Sequence, residues 1–474
     1  GAGSTTNTGT INVGSASTAA LQVSAGHNIT NTGGIINIAN GSVLNQLGST
    51  ITGGTINTTG SGALFSSGSG VNILSSIVLN GTLDLAATPN ARERIANSVT
   101  MNGVVNIANG AILSLDSALT SGGNQTIGGN ATINLNDPGA RLAIEGSGST
   151  TLGANVVVRG QGNIGQPAIA GGNNTLTNNG RISADVSGGT LNITNPANGG
   201  GSSLVNNNLL DARNGGTLQI GTNVNNAAGL INAQNGSTVV LNSVTVTGGT
   251  LGSVGSTGLI QSTSSASNFL NAVNVAGTLD MTAIDNSRQR LINGNTLTGV
   301  INVGNGGIVS LDSSASAGNA ASLTGTGTVN LNDASARLAI EGSGTGLIGA
   351  GVTVRGQGNI GTAAIAGGNN MLTNDGRILA DVSGGTLSIT NPANGGGSSL
   401  RGTGKLQVDG GNLNLTISTA SQQGQLVIGG TGSLNLSNNL TLSSDYTNAQ
   451  AGTGNSFNRR TGISGAGQVV AGGD

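Results

Sequence analysis

Cysteine is absent from the 474 residues, which removes both a disulfide framework and any thiolate metal site. Tryptophan is absent too, tyrosine occurs once (Tyr446), and aromatic residues make up 1% of the chain. A core built on stacked rings is therefore excluded, and so is a sugar cleft lined with aromatic faces. His27 is the one histidine, with no acidic residue within fifty positions of it, so a catalytic triad or a zinc centre has little to stand on. Charged residues reach 7% and the net charge is −2, which gives no reason to expect nucleic acid or an anionic membrane as partner. No apolar run approaches the ~20 residues of a membrane-spanning helix. The chain opens on Gly1 with neither initiator Met nor signal peptide and reads as a processed chain or a window of a longer one.

What is present is glycine, 87 residues of it, together with enough Val, Ile, Leu and Ala to bury an aliphatic core. The glycines lack the three-residue period of collagen. Above all, the chain says one long passage twice. Arg141 to Leu204 runs RLAIEGSG, VRGQGNIG, AIAGGNN and ADVSGGTLNITNPANGGGSSL, and Arg337 to Leu400 repeats it at an offset of 196 (337 − 141). The same offset joins Gly81-Thr-Leu-Asp84 to Gly277-Thr-Leu-Asp280 and Leu113-Ser-Leu-Asp116 to Val309-Ser-Leu-Asp312. Repetition on this scale is read before any local motif. It divides the chain into a first module at 1–208, a second at 209–404 and a divergent tail at 405–474, expected to form one continuous rod.

Within each module the local unit is a short strand, an Asn/Asp/Gly corner and another short strand, as in Gly103-VVNIANGAILSLD and Gly299-VINVGNGGIVSLD. In RLAIE, Leu142 and Ile144 share one face while Arg141, Ala143 and Glu145 share the other, a period of two. Helix is excluded by glycine, each costing roughly 1 kcal/mol in a helix interior; Ala91-RERIANSV and Ser287-RQRLINGN are the only helix-friendly stretches, expected to give at most one turn or a loop. Units recur every ~20–29 residues, which suits one turn of a parallel β-helix with turns stacked at ~4.8 Å. About seventeen such turns would make a rod of about 80–90 Å. The rival is an array of antiparallel sandwiches, since Asn-Gly between strands is also a hairpin signal. Missing aromatics and the lack of a regular 8–12-residue spacing count against it. The fold class expected is all-β, a parallel β-helix (β-solenoid) with roughly 20–29 residues per turn.

Units such as VNIANGAILSLD, GRISADVSGGTLNIT and VRGQGNIG resemble the passenger regions of bacterial autotransporters and the haemagglutinin-like exoproteins of two-partner secretion. The tail, Ser443-SDYTNAQAGTGNSFNRRTGISGAGQVVAGG, resembles segments between repeats of very large bacterial surface proteins. The resemblance covers nearly the whole chain and is one of repeat grammar. It implies a right-handed β-helix, export across a Gram-negative outer membrane, and a place at the outer cell surface or beyond. Neither an amino-terminal two-partner secretion domain nor strands for a carboxy-terminal membrane barrel are seen in this stretch.

A search for chemistry returns little. Gly160-Gln-Gly-Asn-Ile-Gly165 and Gly356 to Gly361 match G-x-G-x-x-G, but the fingerprint needs a helix next, and Gln166-PAIAGGNNTL cannot form one. Gly410-Gly-Asn-Leu-Asn approaches the calcium β-roll signature but lacks its aspartate. Carboxylates receive more weight, because a glycosidase needs two acids facing each other across a sugar. Asp116, Asp137, Glu145 and Asp185 form one candidate set, and Asp312, Asp333, Glu341 and Asp381 its repeat. Each occurs once per module, as expected of architecture, so they are read as acids decorating a solenoid face. No catalytic, cofactor-binding or metal-binding residue is assigned, and no cofactor is expected.

The function expected is an extracellular structural or adhesive β-solenoid rod of a bacterial surface or fibre protein, not an enzyme. The alternative is a β-helical polysaccharide lyase or glycoside hydrolase; an ice-binding solenoid lacks the regular Thr-x-Thr ladder it would need. Expected partners are copies of the chain end to end or flanking parts of a longer chain, and host or matrix surface ligands, with no nucleic acid. Uncapped ends should join other chains rather than stay free. Two structural expectations follow from turn spacing. Leu142, Ile144, Val156, Val158, Ile182, Leu191 and Ile193, with Leu338, Ile340, Val352, Val354, Ile378, Leu387 and Ile389, should point inward. Arg159 should lie beside Asp137 or Asp185, and Arg355 beside Asp333 or Asp381, while Arg141 and Glu145, ~13 Å apart on their strand, should not pair.

Overall fold

The computed structural model of the chain describes residues 3–169, 171–194, 203–390 and 399–417, together with 421–429, 432–437, 440–442, 446–448, 463–464 and 469–471. Every strand pairing in it is parallel, as in the first ladder contacts Gly3↔His27 and Thr10↔Ile35. Two compact units result. One comprises the chain up to Val239 with Val254–Gly258, the other Val240–Ser253 with the chain from Leu259 onwards. Each is a stretch of parallel β-solenoid.

In the first unit three ladders run side by side. One climbs from Gly3–Thr6 and His27–Thr30 through Arg92–Ala96, Ile112–Asp116 and Arg141–Glu145 to Thr217–Gly221. The second starts at Thr10–Val13 and Ile35–Ile38, and the third at Ala20–Val23 and Val43–Gln46. One turn therefore uses three short strands, and its length varies from 19 residues (Leu64 to Leu83) to 29 (Ile112 to Arg141). The second unit has the same plan. Its strands Arg288–Ile292, Ile308–Asp312, Arg337–Glu341 and Gly358–Gly361 stack with the register of their counterparts 196 residues earlier.

Stacking in register is what makes the core. Ile133, Val158, Ile182, Leu210 and Ile231 succeed one another up one ladder, all fully buried. In the second unit Val329, Val354, Ile378, Leu406 and Leu426 do the same. Each such side chain contributes about 1.5–3 kcal/mol by leaving water. All fourteen aliphatic positions expected to face inward are buried, none more than 2% exposed. A gap beside Ile144, Leu176, Ile193 and Leu204 measures only about 10 Å³, so the column is closely packed there.

Polar stacking accompanies apolar stacking. Asn12, Asn37, Asn57, Asn80 and Asn102 form an amide ladder, each side-chain NH2 donating to the carbonyl oxygen of the residue one turn before, at 2.9–3.0 Å. Corners are turned by Asn-Gly pairs in which both residues have positive φ: Asn109-Gly110, Asn214-Gly215 and Asn305-Gly306. Two strands, Val78–Asp84 and Val99–Ile107, cross from the second ladder to the third without any corner. Gly81 and Gly103 lie in register at that bend, and a Cβ on Gly103 would sit 2.1 Å from the Gly81 carbonyl oxygen. Only glycine lets the two backbones pass.

Two expectations are corrected. The helix-friendly stretches are strands, Arg92–Ala96 and Arg288–Ile292. Arg92 and Arg94 alternate outward while Glu93 and Ile95 are buried, so a period of two is present but carries an acid at an inward position. The second correction concerns RLAIE. Ala143 and Glu145 are fully buried, as are Ala339 and Glu341. The chain bends at Gly146 (φ 82°), and the strand end tucks its carboxylate under a following loop.

Candidate functional site

Half of the eight candidate acids lie at the surface, Asp137, Asp185, Asp333 and Asp381 being partly exposed, and half do not. Asp116, Glu145, Asp211, Asp312 and Glu341 are fully buried, each with partners. Arg94 reaches one turn up to Asp116, with Nε donating to Oδ2 at 2.8 Å and Nη2 to the same oxygen, and Arg290 meets Asp312 in the same way in the second unit. Asp116 Oδ1 also accepts from the backbone N–H groups of Ala118 and Leu119 at 2.9 and 3.2 Å, capping the short 3₁₀ turn Ser117–Leu119. Arg181 grips Asp211 through two parallel bonds. That fork geometry suits arginine to a buried carboxylate.

Glu145 holds a loop. It accepts from Ala168 N at 2.7 Å and Ile169 N at 3.1 Å; Glu341 accepts from Ala364 N, Ile365 N and Ala366 N at 2.8–3.1 Å. Asn174 and Asn370 close the same loops by donating to Ile144 O and Ile340 O. The twice-occurring AIAGGNN is thus a buried acid's amide cradle. Asp137 and Asp333 are corner residues. Asp137 accepts from Asn109 N and Gly139 N, and Asp333 from Asn305 N and Ser335 N. Partial burial raises the Asp333 carboxyl, but the Ser335 hydroxyl and the N–H groups of Asn305, Ser335 and Ala336 outweigh it and hold the group below the usual range.

Arg159 meets Asp185 at 2.6 Å and Arg355 meets Asp381, in each case one of the two acids that turn spacing allows. The ion pairs seen among the described residues do not include Arg141 with Glu145. His27 lies on a strand with its Nε2 at 2.9 Å from the Thr5 hydroxyl. Gly160 ends one strand, Val157–Gly160, and Gly162–Gly165 is the next, so the G-x-G-x-x-G match is a glycine corner between strands. Among the described residues no group of three or more His, Asp or Glu side chains is placed to hold a metal ion.

Two features escape a search for acids at solvent. Glu93 is fully buried, accepts from Ser66 Oγ at 2.6 Å, and is pushed up to about 8 by burial, against the Ser66 and Arg94 N–H hydrogen bonds. Its counterpart is Gln289, which accepts from Ser262 Oγ at 2.7 Å. That exchange of acid for amide across the repeat is the sequence signal that marks it as a buried group. The second feature is a hollow of about 250 Å³ on the outside of the first unit, lined by Thr132, Val157, Arg159, Arg181, Ser183, Asp185, Arg213 and Asn214. Register places Ser183 between Arg159 and Asp211 on neighbouring strands, so a small residue forms the floor between long ones. Ser183 Oγ, Asp185 Oδ1 and Arg213 Nε are shielded from solvent and have no hydrogen-bond partner.

No known protein family matches the chain, and no curated protein matches it. A solved structure similar to it is the crystal structure of the TibC-catalysed hyper-glycosylated TibA55-350 fragment. It is 14% identical over 98% of this chain and 100% of that one, with a TM-score of 0.18. At that score the likeness carries neither fold nor function, and the fold rests on the strand pairing itself.

Proposed function

We propose that the chain is an extracellular structural or adhesive β-solenoid, a stiff non-catalytic rod of a bacterial surface or secreted fibre protein. The observation that carries this reading is the stacking. In each unit neighbouring turns of the described residues are tied by parallel backbone pairing and buried aliphatic columns, and in places by amide ladders, and such contacts between neighbouring turns are what give a solenoid length and stiffness. The acids considered for catalysis support the same reading, because Asp116, Glu145, Asp312 and Glu341 spend their oxygens on arginines and backbone N–H groups in the fold. Partners under this reading are further copies end to end, flanking parts of a longer chain, and surface ligands. Electron microscopy of the purified protein tests it: isolated rods or end-to-end filaments are expected, and compact globules overturn it. Light scattering at increasing concentration separates end-to-end association from free rods.

A further inference from the structure

The hollow over Ser183 differs from its own repeat in a way that architecture does not require. The second unit keeps Arg355, Arg377 and Asp381 at the matching places, but has Leu379 where Ser183 stands and Asp409 where Arg213 stands. Leu379 is buried, 6% exposed, so an apolar side chain fills in the second copy the position that Ser183 leaves hollow in the first. Around Ser183 three arginines, Arg159, Arg181 and Arg213, face two acids, Asp185 and Asp211, leaving one surplus positive charge. The second copy keeps that surplus through Lys405, which stands at the Leu209 position in register with Arg377, and Asp381 Oδ1 is without a partner as Asp185 Oδ1 is. What distinguishes the first copy is the open space over Ser183 and the Arg213 guanidinium beside it, and the filled second copy shows that stacking does not require that space.

The unsatisfied groups define what fits. Ser183 is 2% exposed, and its hydroxyl has no partner; Arg213 Nε is a donor without an acceptor, and Asp185 Oδ1 an acceptor without a donor. Buried polar atoms without partners are costly, so they persist where something else satisfies them. An inorganic anion would answer the surplus cation but has no proton for Asp185. A neutral polyol would answer Asp185 and Ser183 but leave the cation. A ligand carrying both a carboxylate and hydroxyls answers all of them, with the carboxylate on an arginine fork and the hydroxyls donating to Asp185 and bridging Ser183. A space of about 250 Å³ is below the ~300–1,000 Å³ typical of drug-sized ligands and suits one small ring. Arg159 is 48% exposed over the Asp185 pair and can swing aside to admit it.

We propose that the Ser183 hollow is a binding site for a hydroxylated carboxylate of monosaccharide size, a sugar acid. This goes beyond the rod reading and stands without it, since binding is measured on the isolated protein whatever its shape. The test is calorimetric titration of the full chain with galacturonate, galactose and sulfate, using the wild type, Ser183→Leu and Arg213→Asp. Both substitutions install the residue that the second copy carries, and circular dichroism melts confirm that each variant folds. Saturable binding of galacturonate is expected, with galactose and sulfate at least tenfold weaker, and both variants at least tenfold weaker for galacturonate. The proposal is overturned by absence of saturable galacturonate binding, by undiminished binding in either folded variant, or by galactose or sulfate binding as tightly as galacturonate.

Discussion

Glu93 sits fully buried where its repeat counterpart is Gln289. Its carboxyl is pushed from the usual 4.5 to about 8, chiefly by burial. The sign of the linkage follows. The folded state holds this proton more tightly than the unfolded chain, so stability falls as pH rises from 4.5 towards 8 and the penalty is complete above that. Glu93→Gln installs the amide that the second unit already tolerates. Denaturant melts of the two proteins should coincide near pH 4.5 and separate with rising pH, the variant gaining on the order of a few kcal/mol at pH 8; equal stability at both pH values would show that folding does not raise the Glu93 carboxyl above its ordinary value. Ion pairs divide by burial in the same way. Arg94–Asp116 has side chains 12% and 0% exposed, whereas Arg159 is 48% exposed over Asp185. Asp116→Ala, which strands a half-buried guanidinium and uncaps a turn, should cost about 3–5 kcal/mol. Asp185→Ala should cost about 1 kcal/mol or less, because solvent screens its partner.

At the scale of the strand, register does the work that helix dipoles or disulfides do elsewhere. Ile144 lies between Leu115 and its own turn's aliphatic neighbours with no exposure, so Ile144→Ala should leave a cavity and cost about 2–5 kcal/mol by chemical denaturation. Asn57 both donates to Asn37 and accepts from Asn80, at 2.9 Å each. Asn57→Ala interrupts the ladder at two bonds on a half-exposed face and should cost about 1 kcal/mol, since water replaces part of what is lost. These strands were readable because alternation of apolar and polar residues gives strand and face together. Arg92–Ala96 was not, because its inward Glu93 imitates a polar position until the fold shows it fully buried and accepting from the Ser66 hydroxyl.

At the scale of the molecule, each unit is a stack in which a turn meets only the turn before and the turn after. Damage should therefore stay local. In Ile144→Ala, hydrogen exchange should quicken in the adjoining strands Ile112–Asp116 and Gly162–Gly165, with Thr10–Val13 and Ile35–Ile38 unchanged. Uniform loss of protection throughout the first unit would show a cooperative globule in place of a stack. The Ser183 hollow belongs to this scale too. It is built by residues from successive turns, Arg159, Ser183 and Arg213, which come together only when turns of 24 to 28 residues bring their strands into register.

Composition and period settled much of this from the sequence alone. A chain without cysteine or tryptophan, rich in glycine and aliphatic residues and written twice at an offset of 196, had a stack of short strands as its one way to bury a core. Side-chain alternation fixed which aliphatics face inward, and turn spacing narrowed Arg159 to Asp137 or Asp185 and Arg355 to Asp333 or Asp381, of which the fold takes Asp185 and Asp381. The burial of Asp116, Asp211 and Glu145 was decided only by tertiary structure. A carboxylate is expensive to bury until an arginine one turn away, or a loop's backbone N–H groups, is in place to meet it, and those partners stand 22, 30 and 23–24 residues distant. Local pattern reports the strand that carries an acid; which neighbouring turn closes over it depends on the lengths of the corners between, and those are set by packing.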